Sequence, residues 1–391
     1  MNDAPLGGLS PTTFLRRHWH KSPLLVAQAV PDFLGLLTPP EIRKLATHPD
    51  VQARLVIRSG KSWQLHHGPF RPVDFKSLPD KNWTVLVQDL NHWLPEASQL
   101  LNRFSFIPDA RLDDLMVSYA VPGGGVGPHF DSYDVFLLQG FGLRRWAIAE
   151  TRDLELRTDC DLKILRRFKP QQEWELSAGD MLYLPPQWAH DGMALTECFT
   201  YSVGFRAPTR QEWVNAFLDH LRDHLLVEGR YADPDLKWQP DPAELSHPLL
   251  QQIGHILQTI RWTDQDILSC VGRYLSEPKP HVFFTPPTAP LTEAAFRKAL
   301  GRTSLHLDRC SRLLYRGRHF FMNGEEWQAP AAHCPFWKTL ANQHVTPPHK
   351  ADMALSSALH GFYLAGWIHL ASSEQGDHPL KRNLLPRKKL V

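Results

Sequence analysis

The stretch PGGGVGPHFD places His129 and Asp131 on either side of one residue, Phe130. On a strand, side chains two apart share a face, so an H-x-D offers an imidazole and a carboxylate to the same point. Joined by a distant histidine, the pair makes a 2-His-1-carboxylate triad. Such a triad suits Fe(II) and leaves three positions open, enough for a bidentate 2-oxo acid and O2. With 21 histidines in the chain, an H-x-D also arises by chance, and His48–Asp50 and His306–Asp308 repeat the spacing. Context separates them. His48-Pro49-Asp50 sits at a helix end with a central proline, and His306-Leu307-Asp308 lies outside any strand series. Only His129 follows a glycine-rich bend and opens a series of strands.

The third ligand is expected to be His190 in PPQWAH, which follows a turn, a strand and a Pro-Pro corner. A barrel returns a late strand beside an early one, so this separation is reasonable. A 2-oxo acid with a distal carboxylate also needs a cation. Arg144 and Arg145 follow the Gly142 turn, and a guanidinium clamps a carboxylate in bidentate fashion. Adjacent strand residues face opposite ways, and pattern alone does not choose between the two. Ser118, on the strand before the glycine bend, either adds a hydroxyl to that clamp or is an ordinary strand serine.

The elements that must position these groups are short strands. LMVSYAV (115–121), YDVFLLQ (133–139), the strand after GFGLRRWAIAE begins, residues 181–184 and CFTYSVGFRAP (198–208) are rich in aromatic and β-branched residues, between glycine and proline turns. That spacing indicates a sandwich or barrel. Upstream, PPEIRKLATHP (39–49) reads as a short helix, and ARLVIRS (53–59) and KNWTVLVQDL (81–90) as strands. WQLHHGPFRP between them, with His66 beside His67, reads as a loop or binding rim.

After Pro208 the period changes. QEWVNAFLDHLRDHLL places Trp213, Val214, Phe217, Leu218, Leu221 and Leu225 on one helical stripe. HPLLQQIGHILQTI and TDQDILSCVGRYLSEP continue the helices, the latter with Thr263 as N-cap. Such a segment either packs on the β region or dimerises. Beyond the proline-rich stretch PKPHVFFTPPTAPL, Thr292 caps a helix, Asn323–Gly324 signals a hairpin, and ALSSALHGFYLAGWIHLAS gives a helix and a strand. This is a small α+β layout of winged-helix type. The basic tail PRKKLV is expected to be disordered.

Composition excludes several classes. Hydrophobic residues are 42% of the chain against a net charge of +2, which allows a large core and gives no electrostatic case for whole-protein nucleic-acid binding. No apolar run is long enough for a membrane helix, and no secretory leader is visible. The five cysteines are dispersed, without C-x-x-C, so neither a disulfide framework nor a thiolate zinc site is expected. Reduced thiols indicate a cytoplasmic protein.

The segments GGGVGPHFDSYDVFLLQGFGLRRWAI, GDMLYLPPQWAHDGMAL and YSVGFRAP resemble the JmjC-domain 2-oxoglutarate oxygenases, and among them the bacterial ribosomal oxygenases. PLLVAQAVP (23–31) and WTVLVQDLNHW (83–93) are similar to the N-terminal part of that family. The resemblance implies a mainly β double-stranded β-helix of cupin/JmjC type at 1–207, with its core at 95–207. An all-α dimerisation segment would follow at 208–280, then a winged-helix-like domain at 281–391. It implies Fe(II) on His129, Asp131 and His190. It also implies 2-oxoglutarate gripped by Arg144 with Ser118 assisting, and O2 as cosubstrate. The implied reaction is hydroxylation of an arginine β-carbon in a large-subunit ribosomal protein by a homodimeric enzyme. Tyr133 and Asp134 are candidate contacts for that arginine, by stacking and by charge. Histidyl hydroxylation and N-methyl-arginine demethylation share the chemistry. A reading of another class is an inactive ribosome- or nucleic-acid-binding adaptor using Arg309, Arg312, Arg316, Arg318 and the basic tail.

Overall fold

The computed structural model describes residues 4–371; the tail PRKKLV lies outside them. The chain opens with α1 (Pro11–Arg17), β1 (Leu24–Val26), α2 (Pro39–Leu45), β2 (Ala53–Ser59), β3 (Ser62–His67), α3 (Pro72–Lys76) and β4 (Trp83–Val87). It continues through α4 (Leu90–Trp93), α5 (Pro95–Asn102), β5 (Leu112–Ala120), β6 (Val135–Gln139) and β7 (Arg144–Glu150). β8 (Gln172–Leu176), β9 (Met181–Leu184), β10 (Trp188–Ala194) and β11 (Cys198–Phe205) complete the β region.

Two sheets face each other as a double-stranded β-helix. The larger runs β1-β9-β6-β11-β5-β4-β2-β3 and the smaller β10-β7-β8. The residue types explain why the strands settle in this way. Along β11, Phe199, Tyr201, Val203 and Phe205 enter the main core with Leu115, Val117 and Tyr119 of β5, Phe136 of β6 and Phe14 of α1. The alternate residues, Cys198, Thr200, Ser202 and Gly204, turn to the inside of the barrel. Each buried aromatic contributes roughly 1.5–3 kcal/mol, so a one-residue slip of β11 would forfeit the whole outer layer. That fixes register, and Thr200 lies opposite Ser118 on one side and Gln139 on the other.

Two expectations change. His66 and His67 lie in the edge strand β3, paired to β2, not in a loop. Their side chains are exposed, as a rim would have them, but the pairing register with Leu55 and Arg54 makes the segment regular. His129 and Asp131 are not on a continuous strand. His129 forms an isolated bridge with His190, and Asp131 lies in the irregular segment before β6.

The helices α6 (Arg210–His224), α7 (His247–Gln258) and α8 (Asp264–Ser276) follow. Thr209 and Thr263 each accept from the backbone of the residue three on, and Glu212 and Asp266 return the bond, giving two capping boxes. The C-terminal region comprises α9 (Glu293–Leu300), β12 (Leu305–Leu307), β13 (Leu313–Arg316), β14 (His319–Met322) and β15 (Glu325–Gln328). It ends with α10 (Cys334–Gln343), β16 (Val345–Thr346), α11 (Met353–Leu364) and β17 (Ile368–Leu370). The expected hairpin at Asn323–Gly324 joins β14 to β15, with both residues at positive φ. Helix α10, opening Cys334-Pro335, carries no N-cap signal in the sequence and was not among the expected elements.

By spatial proximity the chain divides into two compact units. One holds the described residues of Met1–Ala207, Lys279–Ser311 and Asn342–Val391; the other holds Pro208–Pro278 and Arg312–Ala341. The partition follows contacts instead of chain order. Within the second unit, Gly272 of α8 lies against the Phe321 ring of β14, an approach that leaves no room for a side chain.

Candidate active site

His129 and His190 meet through reciprocal backbone hydrogen bonds of 2.9 and 2.8 Å. Those two bonds bring residues from opposite ends of the barrel sequence side by side, with ring centroids 4.2 Å apart. Each ring is oriented through its other nitrogen. His129 Nδ1 lies 2.8 Å from the Gly127 carbonyl and His190 Nδ1 lies 2.9 Å from the Trp188 carbonyl. A carbonyl only accepts, so Nδ1 carries the proton in both and Nε2 keeps its lone pair. Asp131 Oδ2 stands 3.6 Å from His190 Nε2, and the Gln187 N–H holds the Asp131 backbone carbonyl at 2.8 Å. One ligand atom from each of His129, Asp131 and His190 falls within 4.8 Å of the others, the one such group found among the described residues.

Burial first, and His129 next, push the His190 imidazole down to about 4, so it is neutral at ordinary pH. A neutral imidazole pair with a carboxylate is the donor set of a divalent transition metal with open positions. The other two H-x-D pairs form no such group. His48 lies 3.8 Å from its own Asp50, and Asp308 is engaged by His369 at 2.8 Å.

The barrel interior supplies a second polar region. Arg144 is 5% exposed, and its Nε and Nη2 have no hydrogen-bond partner. Its guanidinium carbon lies 5.8 Å from the Trp146 ring. Arg145 faces the other way, half exposed, 3.8 Å from Glu173. A buried guanidinium with unmatched donors is costly unless an anion meets it, so Arg144 fits the distal carboxylate of a bound 2-oxo acid. Ser118 is buried and shares the inward row with Thr200 and Gln139. Gln139 Oε1 accepts from the Thr200 hydroxyl at 3.0 Å, while its Nε2 is buried without a partner. The donors left over on the two facing sheets, Arg144 on one and Gln139 on the other, are those an anionic ligand would satisfy.

Tyr133 is 40% exposed and lies within electrostatic range of Asp131 and Asp114. Asp134 does not join it. Its side chain falls on the opposite face of β6, fully buried, where it accepts from the Tyr183 hydroxyl at 2.5 Å and meets His20 Nε2 at 3.0 Å. Asp134 is therefore closed to a substrate arginine, contrary to the sequence expectation. Asp134 directly precedes β6 and follows the parity of Phe136 and Leu138, which enter the outer core.

The carboxylate that lies near Tyr133 is Asp114. It shares the inward parity of Met116 and Ser118 on β5 and is 6% exposed. A side chain placed on Gly204 would touch Asp114 Oδ1 at 3.5 Å and the Tyr133 ring at 3.8 Å, so both groups border the same point of the inward row. Burial raises the Asp114 carboxyl to about 6. The sequence held the signal: Asp114 stands four residues before Ser118, on the same face of one strand.

A family profile described as JmjC domain matches residues 99–213, and one described as ROXA-like winged helix matches residues 259–369. The chain is 35% identical to the ribosomal protein uL16 3-hydroxylase of Escherichia coli over 334 residues, covering 84% of this chain and 88% of that protein. It is 40% identical over 242 residues to a probable ribosomal oxygenase of Haemophilus influenzae, covering 58% and 55% of the two chains. The crystal structure of E. coli ycfD superposes with a TM-score of 0.84 at 32% identity, covering 93% of this chain and 98% of the other. The complex of YcfD with cobalt and 2-oxoglutarate superposes with a TM-score of 0.80. Likeness of this extent, in sequence and in fold, means that the chain belongs to the JmjC-domain ribosomal oxygenases, which are 2-oxoglutarate-dependent dioxygenases.

Proposed function

We propose that this enzyme hydroxylates the β-carbon of an arginine in a large-subunit ribosomal protein, uL16 being the substrate named for its E. coli relative. His129, Asp131 and His190 hold Fe(II) in this reading, and Arg144 with Ser118 holds the far carboxylate of 2-oxoglutarate. Bound iron supplies the activation of O2 that couples oxidative decarboxylation of 2-oxoglutarate, to succinate and CO2, with conversion of C–H to C–OH. The protein's own work is geometric. Gly127 and Trp188 carbonyls orient the two imidazoles through Nδ1, which is how a surrounding hydrogen-bond shell sets ligand direction. Arg144 draws the cosubstrate to the barrel floor and sets its keto acid end toward the triad. At the mouth, Asp114 and Tyr133 receive the guanidinium of the target side chain, and the β-carbon is thereby directed inward. No side chain is assigned as general base, because hydroxylation at carbon needs none.

The observation that carries this reading is the convergence of three ligand atoms within 4.8 Å on the same barrel as a buried, unmatched arginine. A carboxylate at the mouth favours a cationic target over a neutral histidine. The proposal includes a cytoplasmic homodimer without direct nucleic-acid contact. It also includes the division into a catalytic part at 1–207, a helical dimerisation part at 208–280 and a winged-helix-like part at 281–391. Exposed Val214 and Leu218 on α6 and Leu250, Ile253 and Leu257 on α7 supply an apolar surface for pairing.

The test is incubation of the protein with Fe(II), 2-oxoglutarate and a uL16 fragment, followed by peptide mass spectrometry. The expected product carries one added oxygen on an arginine side chain, and His129→Ala abolishes it. No mass gain on uL16, or oxygen located on a residue other than arginine, would refute the proposal.

A further inference from the structure

We infer that Lys279, which follows α8 and lies outside the iron site, is a positioning residue for substrate binding that acts through Asp114. The inference rests on the assignment of Asp114 as a substrate contact. Lys279 Nζ lies 2.8 Å from Asp89 Oδ1, 3.2 Å from Asp113 Oδ1 and 3.9 Å from Asp114 Oδ2. One ammonium thus serves three carboxylates contributed by two segments of the β region. His281, two residues on, places Nε2 at 2.9 Å from Asp89 Oδ2.

The connection to the mouth runs through backbone geometry. Asp89 sits at φ 53, a left-handed conformation that aspartate tolerates better than most residues. Its N–H consequently reaches Asp114 Oδ2 at 3.0 Å. Oδ2 is therefore held by the Asp89 N–H with the Lys279 ammonium nearby, while Oδ1 lies on the side of Gly204 and the Tyr133 ring. A carboxylate held by one oxygen presents the other in a fixed direction, which is what recognition of a planar guanidinium requires.

Charge is the second part. Three carboxylates this close cannot all ionise without a cation among them. Burial raises the Asp114 carboxyl to about 6; Lys279 opposes that rise, and Asp89 and Asp113 add to it. Burial pulls the Lys279 ammonium down, yet Asp114, Asp89 and Asp113 together hold it above its ordinary value. The other titratable groups facing the cluster are His281 and His92 near Asp89, Cys310 beside them, Arg206 at 3.5 Å from Asp113, Tyr133 beside Asp114, and Arg54 of β2 near Tyr133. Among these, Lys279 is the cation that pairs with Asp114, at 3.9 Å. Without it, Asp114 takes a proton near neutrality and a cationic substrate loses its counter-charge.

The experiment measures KM and kcat for the uL16 fragment from mildly acid to alkaline pH. It uses the full-length protein with Fe(II) and 2-oxoglutarate, as wild type, Lys279→Gln, Lys279→Met, Lys279→Arg and Asp114→Asn. Lys279→Gln and Lys279→Met should each raise the peptide KM about tenfold at neutral pH, since an opposite charge at this range controls ionisation of a buried carboxyl to that degree. The rise should vanish at alkaline pH, where Asp114 ionises unaided, with kcat little changed throughout. Lys279→Arg should keep the wild-type profile. An equal KM increase at every pH indicates a purely structural role and overturns the inference. So does an unchanged KM in the Lys279 variants while Asp114→Asn raises it. If Asp114→Asn also leaves KM unchanged, the Asp114 assignment itself fails.

Discussion

Replacing Arg144 by methionine removes a guanidinium that is 5% exposed and whose Nε and Nη2 have no partner within the protein. Methionine keeps much of the aliphatic stem, so the perturbation is mainly charge and hydrogen-bonding capacity. In the complex, a carboxylate of 2-oxoglutarate would meet those donors away from water. Truncating one side of a buried ion pair costs about 3–5 kcal/mol, because the other charge is left uncompensated. At about 1.4 kcal/mol per factor of ten, the dissociation constant for 2-oxoglutarate should rise roughly 100- to 4,000-fold. The assay is anaerobic titration calorimetry of 2-oxoglutarate into protein loaded with Mn(II) in place of Fe(II), which avoids turnover. Metal affinity, measured separately, should change little, since Arg144 is not a ligand. Without 2-oxoglutarate, the variant should melt no lower than wild type, because a buried unmatched cation favours unfolding. Arg145→Met is the control: this side chain faces Glu173 at 3.8 Å, and its loss should leave cosubstrate affinity unchanged. Retention of 2-oxoglutarate affinity to within about threefold in Arg144→Met would refute the assignment of the cosubstrate carboxylate to this wall.

Other consequences follow from the same geometry. Asp114 has its carboxyl raised from 3.8 to about 6, mainly by burial, so the folded chain binds more protons than the unfolded one between those values. Stability therefore falls as pH rises through that window. Asp114→Asn should gain on the order of 1–3 kcal/mol in urea unfolding at neutral pH, with the gain disappearing below roughly pH 4; a variant less stable than wild type at neutral pH contradicts this. A Cβ on Gly192 would lie 2.6 Å from the Trp146 ring, so Gly192→Ala should lose about 1–3 kcal/mol and weaken metal binding by shifting β10 beneath His190; an unchanged melting temperature disproves the contact. Leu218 and Leu257 are 58% and 59% exposed on the helical segment, and glutamate at both should convert a sedimenting dimer to monomer. A wild-type protein that sediments as a monomer ends the dimer proposal.

Much of the site was legible because its information is local. The H-x-D spacing, the glycine bend before it and the Pro-Pro corner before His190 are features of short segments. Strand alternation needs only neighbouring residues, and it marked Ser118 and the strands around it. The structure nevertheless realises the H-x-D differently: His129 bridges to His190 and Asp131 sits in the irregular segment that follows. The ligands converge through an inter-segment backbone pair, not through the period of one strand. Asp134 shows the limit of reading by adjacency. Standing beside Tyr133, it looked available to a substrate, yet it is sealed against Tyr183 and His20 on the far face of the sheet.

What the sequence determined by itself is the set of chemically able groups and the order in which strands, helices and turns present them, since these depend on residue type and short-range spacing. Which of Arg144 and Arg145 turns inward depends on which face of β7 closes the barrel, and a strand taken alone is symmetric to that choice. The Asp89–Asp114–Lys279 cluster depends on segments far apart in the chain reaching one point, with burial setting the charge of each group. Convergence and dielectric environment are properties of the packed chain, and only the tertiary structure decided them.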